Sequence, residues 1–106
     1  MEFGIKERLV LGASLEGVRG NIAQLRIIRQ LREDFSFSEE DFERFGLREE
    51  GGNFFWKLDI EEFKEIEIGD EARKIIVDRL KELNAQEQLM DDHLDVIDKF
   101  PEVEDG

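Results

Sequence analysis

Cysteine and tyrosine are absent from this chain of 106 residues, and proline, histidine and tryptophan occur once each. Without cysteine, a disulfide framework, a thiolate nucleophile and a cysteine-ligated zinc site are excluded. Long hydrophobic runs are also missing, because no segment approaches the roughly 18 apolar residues that a membrane span requires. The apolar part of the N-terminal segment is too short and too flanked by charge for a signal peptide. We therefore expect a cytoplasmic protein without a membrane partner.

Acidic charge is abundant by contrast. The formal net charge at pH 7 is −13, and it is uneven along the chain. Residues 1–34 hold six basic and five acidic residues, whereas residues 35–106 hold nine basic and 23 acidic ones. An acidic field repels the phosphate backbone of nucleic acids, so we expect no direct nucleic acid binding. The acidic surface either favours a basic partner or serves solubility alone.

The apolar content is sufficient for one hydrophobic core. Apolar residues make up 40% of the sequence and include nine phenylalanines. At this length we expect a single compact domain over the whole chain, with a frayed tail at 101–106 after the lone proline. Apolar spacing predicts a helix from residue 5 to about 15, a longer helix capped by Asn21, and a short third helix between Ser38 and Gly46.

The apolar faces of these helices follow from residue spacing. In the first helix the expected buried face carries Ile5, Leu9 and Ala13. The second helix has apolar residues at intervals of three and four, at Ile22, Leu25, Ile28, Leu31 and Phe35. In the third helix, Phe42 and Phe45 are expected to point inward.

The apolar period changes to two after the third helix, which is typical of β-strands. Gly51 and Gly52 suit a two-residue hairpin turn that needs positive φ. Phe55 falls on one face of this hairpin, where Arg48 could cover its ring. The other face carries Phe54, Trp56 and Leu58. Residues 64–68 alternate again and predict a third strand.

Two more helices complete the predicted fold. Asp70 is expected to cap a helix that ends near residue 84, and a last helix from 91 to 100 is expected to bury Leu94 and Ile97. The predicted class is α+β, with helices flanking a small three-stranded antiparallel meander in the order ααα-βββ-αα. This order is similar to that of a winged helix, although a DNA-reading version would need basic residues where this chain is acidic.

Residues 9–21, LVLGASLEGVRGN, place three glycines after an apolar run, as phosphate-binding loops do. A Walker loop needs Lys followed by Ser or Thr after the second glycine, and this chain has Val18-Arg19 nearby instead. The dinucleotide fingerprint fails as well, because Ala13 and Ser14 follow Gly12 where a second glycine is needed. We expect no cofactor.

The single histidine, His93, lies next to Asp91, Asp92 and Asp95. A metal or acid–base role can be imagined for this group, but the spacing does not match a calcium loop. The aspartates are expected to form a solvated helical face, so we expect no metal site. A Ser-His-Asp site built on His93 with Ser14, Ser36 or Ser38 stays open, although no spacing supports it. We expect no catalytic residues and no enzyme.

One basic feature stands out from the acidic background. Arg26, Arg29 and Arg32 follow at intervals of three along the second helix, after Arg19, and are expected on the face opposite its apolar residues. They either are solvated or bind an acidic partner, which could be a second copy of this chain in a homodimer. The candidate protein-binding residues are Arg19, Arg26, Arg29, Arg32, Glu39, Glu40, Glu43 and Phe55.

Several segments resemble a group of small uncharacterised acidic proteins encoded by bacteriophages and prophages. The segments that carry the resemblance are KERLVL, Gly20-Asn21, LREDFSFSEEDFERF, REEGGNFFW, KEIEIGDEA and MDDHLDVIDKF. The resemblance implies a phage accessory or host-directed protein that acts in the bacterial cytoplasm. It provides no active-site residue.

The sequence therefore favours a non-enzymatic phage-type protein that acts by binding a protein of unknown identity. One alternative is an acidic nucleic-acid mimic that inhibits a host DNA-binding protein, since the acidic surface resembles a phosphate backbone in charge. A second alternative is an enzyme whose site the sequence does not reveal.

Overall fold

A computed structural model of the chain describes residues 1–105, which form helices and two small sheets. The helices are α1 (Ile5–Ser14), α2 (Ile22–Phe35), α3 (Glu39–Phe45), α4 (Asp70–Ala85) and α5 (His93–Ile97), followed by a 3₁₀ turn at Pro101–Val103. The strands are β1 (Glu2–Phe3), β2 (Arg48–Glu50), β3 (Asn53–Phe55) and β4 (Lys64–Glu65). The predicted α+β class is confirmed.

The predicted three-stranded meander is not confirmed, because the strands pair as two separate antiparallel ladders. The β2–β3 hairpin turns at Gly51 and Gly52, which have φ values of 59° and 83°. β4 pairs with β1 at the N-terminus and not with the hairpin. The physical reason lies in the next residue, Ile66, which is buried in the same core as Phe3 and donates its N–H to the Met1 carbonyl. Side-chain alternation alone cannot identify the partner strand.

Most of the predicted helix caps are found. The Asn21 side chain accepts the Gln24 N–H at 2.8 Å, and Ser38 accepts the Asp41 N–H at 3.1 Å. Gly46 ends α3 in the left-handed conformation. Asp70 is a correction, since Gly69 holds the cap position and Asp70 is the first helical residue. There its carboxylate complements the helix dipole instead of accepting a capping hydrogen bond.

The main core is built from α1, α2, α4, the chain ends and Ile66. Its buried members are Phe3, Leu11, Leu15, Ile28, Leu31, Phe35, Ile66, Ile76, Val77, Leu80, Val96, Ile97, Phe100 and Val103. The buried residues of α1 include Arg8, Leu11 and Ser14, whereas Ala13 is exposed, in contrast to its predicted inward position. This difference arises because α1 packs against both α2 and α5, so more than one of its faces is covered.

A second, smaller group of apolar residues, the hairpin cluster, lies between the start of α1, α3 and the β2–β3 hairpin. It consists of the buried Ile5, Phe45 and Leu47, with the half-buried Leu9, Phe37, Trp56 and Ile60 against them. Phe42 does not point inward as predicted. It is exposed, whereas Phe45 of the same helix is buried in this cluster. Leu58, predicted on the face with Trp56, is exposed as well.

The C-terminal segment packs against the rest of the domain as far as it is described. α5 is shorter than predicted, and Leu94 is exposed whereas Val96 and Phe100 are buried. Val103 is also buried, and Glu102 forms an ion pair with Arg73 of α4. The predicted tail at 101–106 thus has a packed beginning, and residue 106 lies outside the described residues.

Candidate functional site

The structure brings together His93 and Ser14, one of the serine–histidine combinations that the sequence left open. His93 Nε2 lies 3.3 Å from Ser14 Oγ, across 79 residues of sequence. His93 Nδ1 lies 2.9 Å from the backbone nitrogen of Met90, and Ser14 Oγ lies 2.7 Å from the Val10 carbonyl oxygen. No spacing in the sequence singled out this pair, because α5 packs against α1 only in the folded chain.

The polarity of these hydrogen bonds is opposite to that of a nucleophile and its base. Because Nδ1 accepts the Met90 N–H, the neutral imidazole carries its proton on Nε2 and donates it to Ser14 Oγ. Ser14 in turn donates its own proton to the Val10 carbonyl, and its side chain is buried. In a catalytic pair the hydroxyl donates to Nε2 and a third group accepts from Nδ1. The pair therefore ties α5 to α1 in this geometry.

The aspartates near His93 are engaged mainly by Lys6. Its Nζ lies 3.1 Å from Asp95 and 3.2 Å from Asp92, and the hydrogen bonds to Asp95 and Asp92 raise the pKa of Lys6 above its ordinary value. Among residues 1–105 no group of three or more His, Cys, Asp or Glu side chains is arranged to hold a metal ion. The acidic run in α5 thus forms part of a contact with α1.

The glycine-rich stretch joins two helices. Gly17, with φ of 72°, lies in the turn after α1, and the chain then reaches Asn21 at the start of α2. The Asn21 N–H donates to Gln24 Oε1 at 2.9 Å, which completes a reciprocal capping box. A helix precedes this stretch where a phosphate loop of the Rossmann type has a strand.

The arginines of α2 lie on a face that also carries apolar residues, which corrects the prediction. Ile22 is 73% exposed and Leu25 is 43% exposed, on the same side as Arg26 and Arg29. The reason is geometric: three residues advance about 300° around a helix, so each step of three rotates the side chain by about 60°. After three such steps Ile22 lies opposite the buried Leu31.

We call Ile22, Leu25, Arg26 and Arg29 the outer face of α2. Arg26 and Arg29 are exposed and form no ion pair within residues 1–105. Arg32, one turn further, lies 3.5 Å from Glu16, and Arg19 is exposed in the preceding loop. Arg26 and Arg29 thus share the exposed side of α2, and Arg32 is the one of the four predicted arginines that forms an ion pair within residues 1–105.

The other predicted protein-binding residues are exposed but lie on different elements. Glu39, Glu40 and Glu43 project from α3 and form no ion pair in the described part of the chain. Phe55 is exposed on β3, and the Arg48 guanidinium lies 5.3 Å from its ring centroid, as predicted. The structure does not join these residues to the arginines in a single site.

A groove of about 530 Å³ opens between α1, α3 and the hairpin. We call it the aromatic groove, and its residues include Arg8, Gly12, Ala13, Phe37, Phe42 and Phe54. Phe42 and Phe54 are exposed at its edge. No local pattern in the sequence indicates this groove, because its residues come from four separate segments.

Arg8 is the buried cation of the aromatic groove, with 5% of its surface exposed. Its Nη2 donates to the Ser36 carbonyl and lies 3.8 Å from Asp41, and its guanidinium stacks 3.9 Å from the Phe37 ring centroid. The buried Nε–H has no acceptor within the described residues. Burial lowers the pKa of Arg8, and the Asp41 charge opposes that effect.

Comparison with known proteins returns no match to a family model, to a curated protein or to a solved structure. None of the described helices is long and apolar enough to cross a membrane.

Proposed function

We propose that this protein acts by binding another protein, without chemistry of its own, and that the outer face of α2 is the contact surface. The observation that carries the proposal is the combination of two exposed aliphatic side chains, Ile22 and Leu25, with Arg26 and Arg29, which form no ion pair within the described residues. A host-directed role in a bacterial cytoplasm, which the phage resemblance implies, belongs to the same proposal.

The charge of the chain makes these arginines unusual. The sequence holds 28 acidic side chains, so an arginine on the surface has many potential partners within its own molecule. Arg26 and Arg29 nevertheless form no ion pair within residues 1–105, and they flank apolar surface that water covers poorly. Arginine beside apolar anchors is typical of interface centres, and the charge favours an acidic partner.

A second copy of this chain offers a surface of that chemistry. Met90 is 69% exposed and Leu94 is 55% exposed near the start of α5. Asp91 is exposed beside them and unpaired among residues 1–105. In a twofold dimer, the outer face of α2 in each protomer could meet this acidic surface of the other.

The experiment compares the wild type with Arg26→Glu/Arg29→Glu by sedimentation velocity and by pull-down from bacterial lysate. Lys74→Glu/Lys81→Glu is the matched control, because it changes the net charge equally on α4. We expect self-association or one captured acidic protein to be lost only with the α2 variant. If the protein self-associates as this homodimer, Asp91→Arg also dissociates the dimer. Mixing Asp91→Arg with Arg26→Glu/Arg29→Glu then restores the dimer. Wild-type behaviour of the α2 variant in both assays would refute the proposal.

The nucleic-acid mimic is the second candidate, favoured by the exposed Glu39, Glu40 and Glu43 of α3, which form no ion pair as far as the chain is described. A mimic would capture a basic, DNA-binding protein, and added DNA or salt would release it. Capture by this mechanism would survive Arg26→Glu/Arg29→Glu and weaken with Glu39→Lys/Glu43→Lys. The same pull-down therefore distinguishes the two candidates.

A further inference from the structure

The aromatic groove has the dimensions of a ligand site. Its volume of about 530 Å³ falls within the range of small-molecule pockets, about 300–1,000 Å³. Four phenylalanines line it, namely Phe35 at the end of α2, Phe37 before α3, Phe42 in α3 and Phe54 in β3. Phe42 and Phe54 remain exposed in the folded chain, so an occupant would cover apolar surface that the protein itself leaves open.

Gly12 is a first sign that something approaches α1 closely. Glycine within a helix costs about 1 kcal/mol relative to alanine, so its presence calls for a packing reason. No such reason exists within the described residues, because a Cβ added at Gly12 would meet no atom within 4 Å. The free space lies where Gly12 lines the aromatic groove.

Arg8 is a second and independent sign, because it is a cation buried in the same groove. Its Nη2 is used by the Ser36 carbonyl, and Asp41 is at 3.8 Å, longer than a hydrogen bond. The Nε–H has no acceptor among residues 1–105 but is sealed from solvent, so an occupant of the groove cannot reach it. Nη1 also donates to no residue among 1–105 and is not sealed, so it is the donor that remains accessible. A carboxylate suits this donor, because a hydrogen bond between a guanidinium and an ionised acceptor is stronger than a neutral one.

We propose that the aromatic groove binds a carboxylate carried by an aromatic group, with the carboxylate at Arg8 and the ring against Phe42 and Phe54 over Gly12. The other charged residues of the groove are Glu16, Arg32 and Glu49. Glu16 and Glu49 are exposed, and Glu16 is already 3.5 Å from Arg32. Water screens these two exposed carboxylates more strongly than the buried guanidinium of Arg8, so the cation determines the preference for an anion.

The test is a titration of 3-phenylpropionate and of its neutral amide, followed by backbone NMR shifts of the full chain. We expect shifts at residues of the groove and at least about tenfold weaker binding of the amide, because hydrogen bonds to charged groups are the stronger ones. Equal affinity of the acid and the amide, or no shift with either, would overturn the proposal. An acetylated tripeptide ending in phenylalanine, with a free or an amidated C-terminus, distinguishes a peptide terminus from a free acid as the source of the carboxylate.

Gly12→Leu tests the location without endangering the fold. Leucine has a higher helix propensity than glycine and enters open space, so the variant should melt no lower than the wild type. We expect it to abolish binding of 3-phenylpropionate, whereas Ala85→Leu, an equally apolar change at the exposed end of α4, leaves binding intact. Retained binding in Gly12→Leu would refute the site.

Glu49→Gln removes a negative charge from the groove and should tighten binding of the acid but not of the amide.

Discussion

The main core and the hairpin cluster differ in how completely they cover their apolar residues. The main core contains 14 fully buried side chains, whereas the hairpin cluster contains three, with the others half-buried. The exposed rings of Phe42, Phe54 and Phe55 all lie on or beside the hairpin cluster, and every residue of β2 and β3 is exposed.

We expect the main core to determine the stability of the fold and the less completely covered hairpin cluster to provide binding surface. Local opening is easiest where few apolar contacts are buried and backbone hydrogen bonds are exposed to water, as in the hairpin. The aromatic groove lies at the boundary between the two regions, since Gly12 and Arg8 come from helix α1 whereas Phe54 comes from the hairpin. The chain also provides a reporter for each region, because its only tryptophan, Trp56, belongs to the hairpin cluster. Far-UV circular dichroism reports mainly on the helices around the main core.

The largest effect is expected from a cavity in the main core. Phe35 is 1% exposed and packs edge-to-face against Phe3, with ring centroids 5.2 Å apart. We expect Phe35→Ala to lower the free energy of unfolding by about 3–5 kcal/mol, as measured by urea denaturation. The urea midpoints of Trp56 fluorescence and of far-UV circular dichroism should shift together, because loss of the main core unfolds the whole chain.

Phe54→Ala is the matched substitution on the other region. Its ring is half-exposed, so we expect a loss of about 1 kcal/mol or less. A loss as large as that of Phe35→Ala would mean that the two regions form one cooperative core.

Local features of the fold followed from the sequence, and pairings between distant segments did not. Asn21, Ser38 and Gly46 act through groups within a few residues, so their roles as helix termini were predictable. The glycine turn of the hairpin was predictable for the same reason. The pairing of β4 with β1 was not predictable, because the edges of a short alternating strand can pair with several partner strands.

The candidate sites show the same limit. The arginines of α2 were visible as a spacing, but Ile22 and Leu25 were assigned to the wrong face because a spacing of three drifts around the helix. The Ser14–His93 contact and the groove around Arg8 depend on packing between segments far apart in sequence. No local pattern marks Gly12 as lining a groove.

An effect smaller than that of Phe35→Ala, and confined to the hairpin cluster, is expected from Gly52→Ala. Gly52 has φ of 83°, where a side chain costs about 1–2 kcal/mol. We expect the urea midpoint of Trp56 fluorescence to fall more than that of circular dichroism. Gly52→Asn is the control, because asparagine tolerates left-handed conformations better and should shift the midpoint less. Equal shifts of both probes in Gly52→Ala would show that the hairpin unfolds with the main core.

The smallest effect at neutral pH is expected where the C-terminal turn meets the main core. Arg73 Nη2 donates to Glu102 Oε1 at 2.7 Å, its Nε donates to the second carboxylate oxygen, and these hydrogen bonds lower the pKa of Glu102 to about 2 from an ordinary value of 4.5. A depressed folded-state pKa contributes stability above the unfolded-state value, and this stability is lost as the pH falls from 4.5 towards 2.

Glu102→Gln should therefore be less stable than the wild type well above pH 4.5, and the difference should disappear near pH 2. Because both side chains are partly exposed, added salt should reduce the difference as well. Glu104→Gln, which removes an exposed carboxylate two residues later, is the control and should follow the wild type at every pH. Urea denaturation along a pH series measures both variants. If the difference in free energy of unfolding between Glu102→Gln and the wild type persists undiminished at pH 2, Glu102 supports the turn through packing. The C-terminal segment would then depend on the main core for its order, and not on this ion pair.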